Sequence, residues 1–239
     1  MFSWICALTL LMSVVAGQTG PISPVAPVNT PVMPPAIVIG FVGGFVGSKD
    51  LVHAEVQVAA HLRQRYVSDV YVETFQNHRE AKAHETILRL LDTNHDGRLT
   101  AAEKQNARIV IYGHSWGASE SIVLARHLAG DGIPVLLTIQ VDSVSKIGQN
   151  DKVIPANVAQ AVNFYQPRGL IHGRPKIRAA DATRTEIIGN FEFDYGAHPL
   201  SCSQYPWWDR VFVKAHTEIE CDPNVWDQVE ALIRSKLPS

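Results

Sequence analysis

Residues 113–117 read Gly-His-Ser-Trp-Gly and place a serine hydroxyl between two glycines. The apolar run Ile109-Val110-Ile111-Tyr112 leads in, and a segment with helical apolar spacing, Ser119 to Leu128, leads out. Strand, tight turn and helix in that order are the setting of a nucleophile elbow, where a serine is lifted on a strained turn above a sheet. Flanking glycines let strand and helix approach closely, and the helix N-terminus favours negative charge developing beside it. The chemistry available to such a serine is attack on a carbonyl carbon.

A serine hydroxyl is a poor nucleophile at neutral pH, so it needs a histidine to take its proton and a carboxylate to orient that histidine. With this elbow the chain order is serine, acid, histidine. Open parallel sheets place their sites at the carboxyl ends of strands. Asp142 closes the run Val135 to Val141 and is the candidate acid; Asp151, in the turn-like stretch Asn150 to Pro155, is the alternative. Of the later histidines, His172, His198 and His216, the last precedes the final helical segment and is the candidate base. An oxyanion needs backbone N–H donors. Trp116, next to the serine, supplies one, and the glycine-rich stretch Gly40-Phe41-Val42-Gly43-Gly44 supplies the other, with Phe41 first and Val42 next. The glycine spacing there is not that of a dinucleotide-binding turn.

A second motif is independent of the first. Residues 92–103, Asp-Thr-Asn-His-Asp-Gly-Arg-Leu-Thr-Ala-Ala-Glu, fit the twelve-residue EF-hand calcium loop position by position. Asp92, Asn94 and Asp96 supply side-chain oxygens, Arg98 a backbone carbonyl, Thr100 a contact through water, and Glu103 a bidentate carboxylate; Gly97 permits the sharp turn. The exit helix has room for only Ala101 to Ala107, and no second loop accompanies it, so one structural calcium ion is expected rather than a paired sensor.

The elements that must carry these groups alternate. Ala36 to Ile39 reads as a strand, Leu51 to Tyr66 as a helix, Asp69 to Phe75 as a strand and His78 to Leu91 as a helix. Then come strand Arg108–Tyr112, helix Ser119–Ala129 and strand Pro134–Val141. Val158 to Tyr165 reads as a helix running into a strand, Arg184 to Ile188 and Arg210 to Lys214 as strands, and Asn224 to Leu237 as an amphipathic helix. The alternation predicts an α/β fold, a mostly parallel sheet with helices on both faces.

Length and composition fit one such domain: 239 residues, 46% hydrophobic and 18% charged. A net charge of −2 gives no electrostatic case for nucleic acid. Residues 1–16 read as a signal peptide, with an apolar core too short to span a bilayer, and residues 17–35 as a Pro-rich lead-in; 36–239 form the domain. Export, to a secreted or periplasmic location, leaves Cys202 and Cys221 as a disulfide pair. A monomer is expected.

The glycine turn Gly40 to Gly44, the elbow at Ser115, Asp142 after the next strand and the late His216 together resemble the α/β-hydrolase superfamily, in particular its small lipase- and esterase-like members. The resemblance covers Ala36 to the C-terminus. It implies a three-layer sandwich and hydrolysis of a carboxylic ester through an acyl-enzyme on Ser115. The family's usual His-Gly pair at the oxyanion turn is Ile39-Gly40 here. Thioester or amide substrates on the same triad, and a calcium-stabilised binding protein without turnover, are the competing expectations. Gln204-Tyr205-Pro206-Trp207-Trp208 reads as a core cluster in preference to a substrate surface.

Overall fold

The computed structural model describes residue 1 and residues 33–238. The expected signal peptide and nearly all of the Pro-rich lead-in lie outside the described residues. Six strands form one parallel sheet: β1 (Ala36–Val42), β2 (Val70–Gln76), β3 (Ile109–His114), β4 (Val135–Val141), β6 (Val158–Tyr165) and β8 (Glu186–Glu192), in the order β2-β1-β3-β4-β6-β8. Between them lie β5 (Val153–Ile154) and β7 (Arg178–Ala179), which pair as a small second sheet.

Helices cover both faces, as the α/β expectation requires. β1 is buried along its whole length, and its alternate side chains split between two cores. On one face Val38, Val110 and Ile139 pack against α1 (Ala54–Arg65), α6 (Lys214–Cys221) and α7 (Pro223–Arg234), through Val58, Leu62, Ile219, Val229 and Ile233. On the other, Ile37, Ile39, Phe41 and Ile111 pack against α2 (Glu80–Leu91) and α4 (Trp116–Gly130), through Ile87, Leu91, Ile122 and Leu128. Strands buried on two faces read as continuous apolar runs, which is why β1, β3 and β4 stood out.

Two expected elements differ. Val158 to Tyr165 is strand throughout, because both of its edges are filled by β4 and β8. Arg210 to Lys214 is not a strand: it falls in α5 (Trp207–Phe212) and the start of α6, beside a sheet that ends at β8. Of its short apolar run, Val211 and Phe212 are exposed on α5 and Val213 is half-buried at the junction with α6, rather than buried in a ladder. A five-residue helix, α3 (Ala101–Gln105), links the 92–103 loop to β3. The Cys202–Cys221 disulfide joins the segment before α5 to the end of α6. Among the described residues no helix is long and apolar enough to cross a membrane.

Candidate active site

The elbow is built by sterics. Ser115 follows β3 with φ 57° and ψ −125°, a left-handed conformation that side chains adopt only under constraint. The constraint comes from both sides: Ser115 N–H donates to the Val141 carbonyl at 3.0 Å, and its own carbonyl accepts from Ala118 N–H at 3.1 Å. A Cβ on Gly113 would lie 2.6 Å from the Gly117 carbonyl carbon, and one on Gly117 would lie 2.6 Å from the Phe41 carbonyl carbon. Only glycine at these two positions lets α4 start against β1 and β3. Ser115 is the N-cap residue of α4 but makes no side-chain cap bond. Its hydroxyl instead meets His216 Nε2 at 2.8 Å.

His216 sits in the first turns of α6, and its Nδ1 lies 2.6 Å from Asp142 Oδ2. Asp142 is fully buried just past β4, with a positive φ of 44°. Its Oδ1 accepts from Gln166 N–H at 3.1 Å and Gly173 N–H at 2.6 Å, and Oδ2 also accepts from Gln166 Nε2 at 2.9 Å. Four donors, His216 included, hold this one carboxylate in one orientation. Asp151, the alternative acid, is equally buried but turned elsewhere: it accepts from Arg174 Nε at 2.8 Å and Ser143 Oγ at 2.6 Å. Ser115, His216 and Asp142 are therefore the three brought together, and His172 and His198 take no part.

The oxyanion side differs from expectation. β1 continues through Val42, and Phe41 pairs with Phe75 and Gly113 in the sheet with its side chain in the core. The chain turns at Gly43, three residues later than the sequence reading placed it, because Gly40 and Phe41 still have strand partners on both sides and Val42 still pairs with Gln76 on β2. The turn residues that line the cleft are Gly43, Gly44 and Phe45 rather than Phe41 or Val42. Gly43 N–H is committed to Glu55 Oε1 at 3.2 Å, and Gly44 and Phe45 follow it along the cleft. Trp116, at the N-terminus of α4, lines the same cleft.

The cleft holds about 550 Å³. Phe45, Trp116, Val144, Ile171, Trp208 and Val213 give it an apolar rim, with the Phe45 ring edge-on to Trp116 at 5.6 Å. The aromatic stretch around Trp207 is thus not a core cluster: Tyr205 is buried, but Trp207 and Trp208 are 60% and 52% exposed on α5. The floor carries a group of buried ionisable residues that the sequence reading missed. The His114 ring lies tilted against His216 with centroids 4.6 Å apart, Glu55 and Glu220 approach its Nδ1, and His53 bonds Glu220. Burial, with the Glu220 charge, pushes the Glu55 carboxyl up to about 8, and burial pushes the His114 imidazole down to about 4. The available signal was a glutamate, Glu55, between the buried Ala54 and Val56 on an otherwise core-facing helix turn.

The 92–103 loop has the expected turn. Gly97 has φ 78°, Asp92 accepts from Asp96 N–H at 3.2 Å and Gly97 N–H at 2.9 Å, and Asp96 accepts from Arg98 N–H at 2.8 Å. Glu103 is engaged differently. It forms a reciprocal capping box with Thr100 at the start of α3, and its oxygens accept from Thr100 N–H and Oγ1 and from Thr93 N–H and Oγ1, at 2.8–2.9 Å. The Thr100 and Thr93 hydrogen bonds hold the Glu103 carboxyl down at about 2. Asp92, Asn94 and Asp96 surround the glycine turn, whereas Glu103 would reach an ion there only on giving up these four bonds.

No family model matches this chain, and no curated protein matches it. Among solved structures it is similar to a thermostable esterase from Pseudomonas putida, at 10% identity over 89% of this chain and 77% of that one, with a TM-score of 0.45. An acetylxylan esterase is 12% identical over 87% of this chain and 100% of that one, TM-score 0.42. A dienelactone hydrolase from Anabaena variabilis is 11% identical over 84% and 85%, TM-score 0.42. At this distance the likeness carries no functional argument, which rests on the geometry of the chain itself.

Proposed function

We propose that this protein is a serine hydrolase of carboxylic esters, with Ser115 as nucleophile, His216 as base and Asp142 as the acid that orients it. The observation that carries the reading is the continuous relay Asp142 Oδ2, His216 Nδ1, His216 Nε2, Ser115 Oγ at 2.6 and 2.8 Å, ending on a strained elbow. His216, holding its proton on Nδ1 toward Asp142, accepts the Ser115 proton at Nε2 as Oγ bonds to the ester carbonyl carbon. The oxyanion forms against the N–H of Trp116 and of the Gly44–Phe45 turn. His216 then returns the proton to the departing alcohol, leaving an acyl group on Ser115. Water repeats the sequence in reverse roles and releases the acid.

The apolar rim supports esters with an apolar or aromatic acyl group, and an ester carbonyl is more easily attacked than an amide. A fluorophosphonate probe is expected to label the protein and not Ser115→Ala, and p-nitrophenyl esters of increasing chain length are expected to be cleaved. Failure of both would reduce the molecule to a binding protein on a hydrolase-like scaffold.

Two further parts of the reading rest on sequence. The 92–103 loop takes one calcium ion through Asp92, Asn94, Asp96, the Arg98 carbonyl and Thr100, with Glu103 exchanging its capping bonds for the metal. The ion would brace α3 and β3, which lead to Ser115. Since a ligand of the folded state alone raises stability, a chelator should lower the melting temperature; an unchanged midpoint refutes the site. The apolar segment at residues 5–16 supports export, checked by N-terminal sequencing of the mature protein.

A further inference from the structure

The ester chemistry leaves unused a second set of ligand-type side chains in the same cleft. His53, at the N-cap of α1, Glu55, in its first turn, and Glu220, near the end of α6, present a ring nitrogen and two carboxylate oxygens within 4.8 Å of one another. His114, from the elbow, closes a fourth side: its Nδ1 is 3.6 Å from Glu220 Oε2 and 3.9 Å from Glu55 Oε1. Glu55 is fully buried and Glu220 nearly so. Among the described residues their ion-pair partners are histidines alone, with no lysine or arginine in reach. Two atoms have no hydrogen-bond partner among the described residues, Glu55 Oε2 and His114 Nε2. Buried polar atoms are normally satisfied, so an orphan carboxylate oxygen inside a ligand cluster calls for an occupant.

We propose that this cluster binds one divalent transition-metal ion of the zinc class, with His53, Glu55 and Glu220 as its protein ligands. The donor set decides the class. Calcium and magnesium take oxygen ligands, whereas one or two imidazoles with carboxylates suit zinc and its neighbours. Metal–ligand bonds of about 2.0–2.2 Å in a tetrahedral site put donor atoms roughly 3.3–3.6 Å apart. The His114–Glu220 and His114–Glu55 separations already lie near that spacing. The His53 Nδ1–Glu220 Oε1 contact, at 2.5 Å, has to open by about 1 Å, which small side-chain rotations supply. Three protein ligands leave a fourth position for His114 or water. His53, His114 and Glu220 all line the cleft that holds Ser115, so the ion has an entry path.

The site would act on the ester chemistry by position. Glu55 accepts from Gly43 N–H, and a Cβ at Gly43 would lie 3.1 Å from the Ser115 Cβ. A cation on Glu55 and Glu220 would tie α1 to α6 and fix the turn that carries the Gly44 and Phe45 amides. This site is separate from the 92–103 loop, which joins α2 to β3.

The full chain, stripped with chelator and dialysed against zinc chloride in excess calcium, is expected to retain one zinc per chain by elemental analysis. With cobalt in its place, the intense visible bands of a tetrahedral ion are expected. His53→Ala and Glu55→Gln should weaken zinc binding at least tenfold, while Asp92→Asn, in the calcium loop, should not. The absence of stoichiometric zinc in the parent chain, or its full retention in both variants, would overturn the proposal. If Glu55→Gln fails to fold by circular dichroism, His53→Ala decides, since its ring makes no cap bond to α1. Fluorophosphonate labelling of Ser115, measured on the same samples, reports separately on the hydrolase reading.

Discussion

Replacing Asp142 by asparagine tests the relay with almost no change in volume. The carboxylate accepts four hydrogen bonds: from Gln166 N–H and Gly173 N–H at Oδ1, and from Gln166 Nε2 and His216 Nδ1 at Oδ2. An asparagine whose oxygen keeps the two backbone donors must set its NH2 where Oδ2 was, facing Gln166 Nε2 and the Nδ1–H of His216. Two donors then meet at each contact. Gln166 can relieve its own clash by turning its amide, at the expense of its bonds to Arg168 N–H and the Ile171 carbonyl. His216 relieves its clash by moving its proton to Nε2, and Nε2 can then no longer accept from Ser115. Loss of the correct tautomer in a serine–histidine–aspartate triad costs roughly 10⁴ in kcat, or about 5 kcal/mol of transition-state stabilisation. The expected result is that decrease in kcat for p-nitrophenyl acetate, with KM little changed. Asp151→Asn is the paired control. It weakens a buried pair with Arg174 and should lower stability by roughly 1–3 kcal/mol while kcat stays within about threefold. Retention of more than a tenth of the activity by Asp142→Asn, or an equal loss in Asp151→Asn, would refute the assignment of the acid.

Other substitutions address the scaffold and the rim. Gly117→Ala forces a Cβ to 2.6 Å from the Phe41 carbonyl carbon and 2.8 Å from the Val42 oxygen, both backbone, and should cost about 2 kcal/mol or more, read as a fall of roughly 4–8 °C in Tm. Cys202→Ala opens a bridge spanning 19 residues, for which loop entropy gives about 3 kcal/mol, checked by denaturant unfolding with and without reductant. Trp208→Ala removes an exposed wall of the cleft and should raise KM for long acyl chains more than for acetate; an equal effect on both would remove Trp208 from substrate contact.

The parallel sheet was legible because its central strands are buried on both faces, so β1, β3 and β4 read as unbroken apolar runs between helical periods. The elbow was legible because strand, Gly-x-Ser-x-Gly and helix follow one another along the chain, although Gly117 is demanded by β1 at Phe41 and only Gly113 by its own neighbours. Arg210–Lys214 misled because three apolar residues in a row look the same on an exposed helix as in a strand; only the filled sheet edge distinguishes them. The start of the oxyanion turn misled for a similar reason, since glycine permits a turn but does not impose one. Gly40 stays in β1 because strands on either side hold it there.

Sequence alone determined the fold class and pointed to Ser115, an acid and a late histidine in that order, because these depend on local patterns and on a chain order set by the topology. It favoured Asp142 and kept Asp151 as the alternative, and in the tertiary structure only Asp142 meets His216. Both are buried acids after β4, and only the backbone and side-chain groups that converge on each differ: Gln166, Gly173 and His216 on one, Arg174 and Ser143 on the other. The His53–Glu55–His114–Glu220 cluster was beyond sequence for the same physical reason. Its members come from three elements, and nothing in the spacing along the chain records that packing brings them within a few ångströms.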